Sequence, residues 1–298
     1  MSGFSVISMT HTPRTWFVTG AASGLGRALT ESLLRRGDRV AATARNLESF
    51  DALKETHGSR LWTTELDVTD TERLREVTTT AFEELGHIDY IVSNAGYGLY
   101  GAAEELDDLD INRHLATNLV APIQLLRSVV PHLRRQNSEH FVQISSAAGQ
   151  TGMAGGSIYH AGKWGVEGFF DSIHDELSPF GIGVTIVEPG AIASSFFSRV
   201  GVTTAIDAYE SGPVGALRSY LADADVVTGN SVGDPAKMAQ AIIESVSAAE
   251  PPHRLVLGSD AHTTIGEALT ARLAAHEAQR ELALTTDRTP AASTPGVL

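Results

Sequence analysis

Short apolar runs alternate with longer segments of helical periodicity along most of this chain, and that alternation constrains the fold more than any other feature. Trp16-Phe17-Val18 precedes a glycine cluster, after which Leu25, Leu29, Leu33 and Leu34 recur at helical spacing until Gly37 supplies a stop. Val40-Ala41-Ala42 reads as the next strand, followed by a polar helix ending near His57-Gly58. Residues 61–68 are a third strand, and 71–85 a helix broken by Gly86. Residues 88–92 are strand-like, 111–133 a long helix, 141–144 a strand, 159–177 a helix and 184–187 a sixth strand. A helix at 235–246 and a strand at 254–257 complete the pattern. Strands that alternate with helices build βαβ units, so the expected fold is α/β, a doubly wound parallel sheet of about seven strands with helices on both faces. No repeat or linker divides the chain, and one domain is expected over residues 14–285. The ends, 1–13 and 286–298, are rich in Ser, Thr, Pro and Gly and are expected to be mobile tails.

Composition narrows the function. The absence of cysteine excludes a disulfide framework, a Cys-ligated metal and a thiol nucleophile. With 22 Lys+Arg against 36 Asp+Glu, the formal charge of −14 argues against nucleic acid or a membrane surface as partner. No apolar run approaches the roughly 20 residues of a membrane span. The first fifteen residues lack the pattern of a secretion signal, and a cytoplasmic location is expected.

Two later segments stand apart. Residues 191–234 have weak periodicity, several glycines and scattered aromatics (Phe196, Phe197, Tyr209, Tyr220), and a lid over the site is expected at 191–233. The closing helix, within 261–285, carries Ile265, Leu269 and Leu273 as an apolar stripe with Ala275 near its edge. That stripe is expected to cover a sheet edge, leaving a monomer or homodimer.

The chemistry begins at Thr19-Gly20-Ala21-Ala22-Ser23-Gly24-Leu25-Gly26, directly after the first strand and at the start of a helix. Glycines there let backbone N–H groups approach a pyrophosphate, and the helix N-terminus offers partial positive charge. The spacing Gly-x3-Gly-x-Gly is followed, in order, by Asn94-Ala95-Gly96, Asn118, Ser146, a Tyr159-x3-Lys163 pair and Pro189-Gly190. Over residues 14–260 this order resembles the short-chain dehydrogenase/reductase family, which implies a Rossmann fold and hydride transfer with a nicotinamide cofactor. Ser93 stands where the family usually has Asn, at a position that helps hold the sheet.

At the end of the second strand an acidic residue would accept bonds from a ribose 2′-OH and repel a 2′-phosphate. This chain reads Ala44-Arg45-Asn46, without a carboxylate, and a guanidinium grips phosphate by two hydrogen bonds. NADP(H) is therefore favoured over NAD(H). Ser23 weighs against it, since many NADP-dependent relatives carry a second basic residue near that point. The resemblance places Asp67 and Val68 at the adenine. It gives Ile192 to the cofactor side of the turn after Pro189-Gly190, and sets Ser194, where the family has Thr, against the nicotinamide amide or a phosphate.

Tyr159 and Lys163, four residues apart, share one helix face. An adjacent ammonium favours phenolate, so Tyr159 is expected to exchange a proton with the substrate oxygen. Ser146 is expected to hold that oxygen, with Ser145 facing the other way. The resemblance gives Asn118 the positioning of a water behind Lys163; a buried asparagine in a bent helix is its structural alternative. No His-x3-His pair with a glutamate suggests zinc. The acidic run 104–110 reads as a solvated helix start, and Gly229-Asn230-Ser231-Val232-Gly233 as a chance match to a hydrolase elbow. The expected activity interconverts a secondary alcohol and a ketone, with a hydrophobic small molecule as substrate. The alternatives are a 3-oxoacyl thioester reductase and a non-catalytic NADP(H)-binding regulator.

Overall fold

The computed structural model describes residues 12–136 and 139–288, so the expected tail at 1–13 and that at 286–298 lie almost wholly outside the described residues. The first half runs β1 (Thr15–Val18), α1 (Gly24–Arg36), β2 (Arg39–Ala44), α2 (Asp51–His57), β3 (Leu61–Glu65), α3 (Thr71–Leu85) and β4 (Tyr90–Ser93). Next come β5 (Leu99–Tyr100), α4 (Asp108–Leu115), α5 (Ala121–Gln136), β6 (His140–Ile144), α6 (Ser157–Leu177) and β7 (Gly183–Pro189). The remainder holds β8 (Gly201–Val202), α7 (Asp207–Glu210), α8 (Pro213–Leu221), α9 (Ala224–Asn230), α10 (Pro235–Val246), β9 (Arg254–Leu257), α11 (Ser259–Glu277) and α12 (Arg280–Thr285).

Seven parallel strands form one sheet in the order β3-β2-β1-β4-β6-β7-β9. Successive side chains on a strand point to opposite faces, so Trp16 and Val18 join one apolar layer and Phe17 the other. The first layer packs on α1 and α10 through Leu29, Leu33, Ile242 and Ile243. The second packs on α3, α5 and α6 through Leu74, Leu125, Val129 and Phe170. Strand order reverses between β1 and β4, and a crevice opens there at the carboxyl ends of the strands.

Four expectations require correction. The third strand ends at Glu65 rather than 68, because Asp67 turns the chain by accepting from the Thr69 N–H at 2.9 Å and its hydroxyl at 2.7 Å. The helix expected at 111–133 is two helices joined by a π turn, Ala116–Val120. The acidic run is only partly a solvated helix start. Asp107 caps α4 by accepting from the Asp110 N–H, but the Glu105 side chain is inaccessible to solvent and takes bonds from Ala102 N, Ile206 N, Thr203 Oγ1 and Arg218.

The apolar stripe is the fourth. Ile265 is buried, while Leu269 and Leu273 are 50% and 62% exposed. α11 contacts β9 at the sheet edge and also reaches the turn before α6, but through Ile265 rather than the whole stripe; farther along, Arg272 bonds Gln150 and lies 4.8 Å over the Trp164 ring.

The segment 191–233 is an excursion closed at its neck. Ala193 N–H donates to Gly233 O and Gly233 N–H to Ala191 O, at 2.8 and 3.0 Å. Within it, β8 pairs with β5, and Glu105 ties both to α8 through Arg218. Burial alone would raise the Glu105 carboxyl, but the backbone N–H groups and Arg218 bring it down to about 2. A depressed carboxyl contributes stability above its unfolded value and loses it as pH falls toward the folded one. Glu105→Gln is expected to lower stability by about 2 kcal/mol at pH 7. The gap should shrink as pH falls from about 4.5 toward about 2, as read from denaturant midpoints.

Candidate active site

Each strand that ends at the crevice hands a motif to it. After β1, Gly20 takes φ +64 and Gly24 φ +55, conformations that side-chain-bearing residues rarely adopt. A Cβ on Gly26 would sit 2.4 Å from Asn94 Nδ2, and that amide donates to Thr19 O at 3.0 Å and Gly20 O at 3.2 Å. Asn94, at the end of β4, thus laces the turn to the neighbouring strand. A Cβ on Gly20 would meet the Ala95 backbone at 2.9 Å, so no side chain fits there either. Ser93 is buried within β4, in the sheet. Leu25 points into the core, leaving only its backbone toward the crevice.

Ser23 opens α1 without a capping hydrogen bond from its side chain, and the first turn of α1 holds no acidic residue. The N-terminal N–H groups and positive end of α1 are therefore unmatched by protein anions, which fits a bound phosphate. Arg45 makes no hydrogen bond or ion pair among the described residues. It lies near enough to Asp67 to help hold that carboxyl low, after the Thr69 N–H bond. Val68 packs against the second apolar layer. On the far side, Ser194 approaches Gly24, its Oγ 3.6 Å from a Cβ built there, and Ile192 packs on the first layer. Asp260, not anticipated from the sequence, accepts from the Ala191 N–H at 2.8 Å, and a Cβ on Gly190 would meet it at 2.2 Å.

β6 delivers the serines. Ser145 is turned away, donating to Glu167 Oε1 at 2.6 Å, while Ser146 accepts from the Ala148 N–H at 3.1 Å and faces Tyr159. Lys163, one turn along α6 from Tyr159, has its Nζ 5.9 Å from the phenol ring centroid and donates to Ile144 O at 3.0 Å. Both side chains are buried. The expectation that Lys163 lowers the phenol does not hold in the unliganded protein. Burial raises Tyr159, and Ser146 rather than Lys163 works against the rise. Burial also pushes Lys163 down to about 8, with Glu167 opposing.

Glu167 is the largest omission of the sequence reading. It follows Lys163 by one turn, is buried, and accepts from Ser145, Gln150 and Arg254. Arg254 on β9 also bonds Glu188 at the end of β7 and Asp171 on α6. Burial and Glu167 together raise Glu188, with Arg254 opposing. A Glu at Lys+4 on a predicted helix was a readable signal; Arg254 on the last strand was not.

Asn118 sits in the π turn with both ends of its amide engaged. Its Oδ1 accepts from the Tyr97 N–H at 3.2 Å and its Nδ2 donates to Tyr97 O at 3.0 Å. A Cβ on Gly96 would collide with that Oδ1 at 2.6 Å. The same Nδ2 lies 2.9 Å from His114 Nε2 and also donates to His114 O at 3.3 Å. His114 is buried against Tyr97 and Tyr159, and burial, then Lys163, hold it down to about 4. Tyr100, Phe196, Leu217, Leu221 and Val227 form an apolar wall around Tyr159. Ser231 ends α9 rather than a core strand and bonds Val227 O, so no hydrolase elbow exists there.

The parallel sheet, the glycine turn beside β4 and the Ser146–Tyr159–Lys163 group define a dinucleotide-dependent oxidoreductase architecture. The profile of the short chain dehydrogenase family matches residues 14–203, and the chain belongs to that family. It is 36% identical to Oxidoreductase BOA17 of Botryotinia fuckeliana over 91% of this chain and 98% of that protein. A short-chain dehydrogenase from Streptomyces avermitilis superposes with a TM-score of 0.85 at 35% identity, covering 92% of this chain and all (100%) of the other. Retinol dehydrogenase 8 of Homo sapiens is 30% identical over 83% of this chain and 82% of its own. Among the described residues no helix is long and apolar enough to cross a membrane.

Keeping an ammonium in this interior works against folding. A shift from 10.5 to about 8 corresponds to about 3 kcal/mol. The cost applies while the folded lysine is charged, and fades as pH rises from about 8 toward 10.5. Lys163→Met is therefore expected to be more stable than wild type at pH 7 by up to about 3 kcal/mol. That advantage should vanish above pH 10, as measured by denaturant unfolding.

Proposed function

We propose that this protein is an NADP(H)-dependent oxidoreductase that interconverts a secondary alcohol and a ketone, with Tyr159 as general acid and base. The observation that carries the reading is the convergence of Tyr159, Ser146 and the buried Lys163 beside the glycine turn. When bound, the reduced nicotinamide supplies a hydride to the carbonyl carbon. Tyr159 gives its phenol proton to the carbonyl oxygen as charge develops there, and Ser146 holds the same oxygen by its hydroxyl. Burial keeps Tyr159 protonated in the resting protein, the form that reduction needs. The phenolate that results keeps the Ser146 hydroxyl as a donor, with the Lys163 ammonium 5.9 Å from the ring centroid. Asn118 acts by position: its amide is committed to Tyr97 and His114, and it fixes the π turn behind Lys163.

The dinucleotide would lie along Gly20, Ser23, Gly24, Leu25 and Gly26, with its phosphates at the open end of α1. Asn94, Ala95, Gly96, Pro189, Gly190, Ile192 and Ser194 would bound the nicotinamide half, and Asp67 and Val68 the adenine. Arg45, lacking a protein partner, supports a 2′-phosphate there. The apolar wall around Tyr159 supports a hydrophobic substrate, as does the likeness to Retinol dehydrogenase 8.

Tyr159→Phe is expected to abolish ketone reduction while leaving NADPH binding within about twofold of wild type. Turnover equal to wild type would refute the mechanism. Arg45→Ala should weaken NADPH about tenfold and leave NADH nearly unchanged, in fluorescence titrations. An equal loss for both would refute the assigned preference.

A further inference from the structure

A second guanidinium reaches the glycine turn from the opposite side of the crevice. Arg199 closes the short 3-10 turn Phe197–Arg199 in the excursion between β7 and α10, and its Nη1 donates to Ser23 Oγ across 176 residues of sequence. It forms no ion pair among the described residues, whereas Arg14, Arg27, Arg218 and Arg254 are each paired with carboxylates. The chain has 36 acidic side chains, yet none occupies the first turn of α1. A cation placed at the positive end of a helix is repelled by it. Two positive groups facing one gap, with free N–H donors between them, form a site for an anion with several oxygens.

We infer that Arg199 is a clamp on a phosphate of the dinucleotide, carried by the lid rather than by the turn itself. The inference rests on the cofactor reading above. The guanidinium would leave Ser23 for a phosphate oxygen, exchanging a neutral acceptor for a charged one, a stronger bond of the same geometry. This supplies from residue 199 the second cationic group that Ser23 lacks. It also couples the cofactor to the substrate wall. Phe196 stands three residues before Arg199, with its ring centroid 6.5 Å from that of Tyr159. The segment that grips the phosphate therefore places an aromatic face over the reaction centre. Cofactor binding then fixes one face of the substrate wall.

Fluorescence titration of the full chain with NADPH and with NADH, for wild type and Arg199→Gln, tests the clamp. The variant should bind NADPH about tenfold or more weakly, with the thermal midpoint of the unliganded protein unchanged. A parallel loss for NADH assigns the clamp to the diphosphate; an unchanged NADH affinity assigns it to the 2′-phosphate. Wild-type affinity for both cofactors in the variant overturns the clamp, and failure of wild type to bind either overturns the cofactor reading with it. Limited trypsin digestion gives an independent readout. NADPH should slow cleavage after Arg199 in the wild type, and equal cleavage with and without NADPH contradicts the proposal.

Discussion

The polar network behind the crevice centres on one buried positive charge. Lys163 is 7% exposed, and its ammonium finds the Ile144 carbonyl and the field of Glu167 rather than water. A charge in that position requires a counter-charge nearby, and Glu167, also buried, requires its own donors. Ser145 from the end of β6, Gln150 from the following turn and Arg254 from β9 provide them. Arg254 in turn gathers Glu188 at the end of β7 and Asp171 on α6. The carboxyl ends of β6 and β7 are thereby cross-linked, behind the site, to the start of β9. Ser146 and Pro189-Gly190, one residue beyond those anchors, inherit their positions from them.

On the opposite side the fold achieves rigidity without charge. Asn94 laces β4 to the glycine turn, and Gly26 leaves no space for a side chain between them. Asn118 clamps the Tyr97 backbone, so the segment after Gly96 is held by the π turn. The excursion between β7 and α10 is joined to this frame at its paired neck, at the β5–β8 ladder and at Glu105. Hydrogen bonds from Arg199 to Ser23 and from Tyr209 to Glu104 add to these ties, and Leu221 and Val227 pack with Tyr159. A proton-transfer group enclosed by such an excursion suits the proposed reaction, which must admit a small molecule while excluding water.

Much of this was readable from the chain alone. The alternation of strands and helices set the parallel sheet, because period-2 and period-3.6 apolar patterns follow directly from which faces are buried. The motif residues Gly20, Asn94, Asn118, Ser146, Tyr159 and Lys163 are local in sequence and each terminates or faces a recognisable element. What escaped reading were long-range partnerships. Nothing near Glu105 announces Arg218, and nothing near Lys163 announces Arg254, since such pairs are brought together only by the completed sheet and lid. The π turn at Ala116–Val120 was hidden because its residues keep a helical pattern. The stripe of Ile265, Leu269 and Leu273 misled because spacing records a face without saying what it meets; only Ile265 is buried.

The central claim is that Lys163 is a buried ammonium held at the edge of discharge by the interior around it. Lys54, Lys163 and Lys237 are the only lysines of the chain, so a nitrogen-15 NMR titration of the lysine amines resolves each one. The signal lost in Lys163→Met is expected to titrate at about 8. A Lys163 signal that titrates at its ordinary value of 10.5 would contradict it.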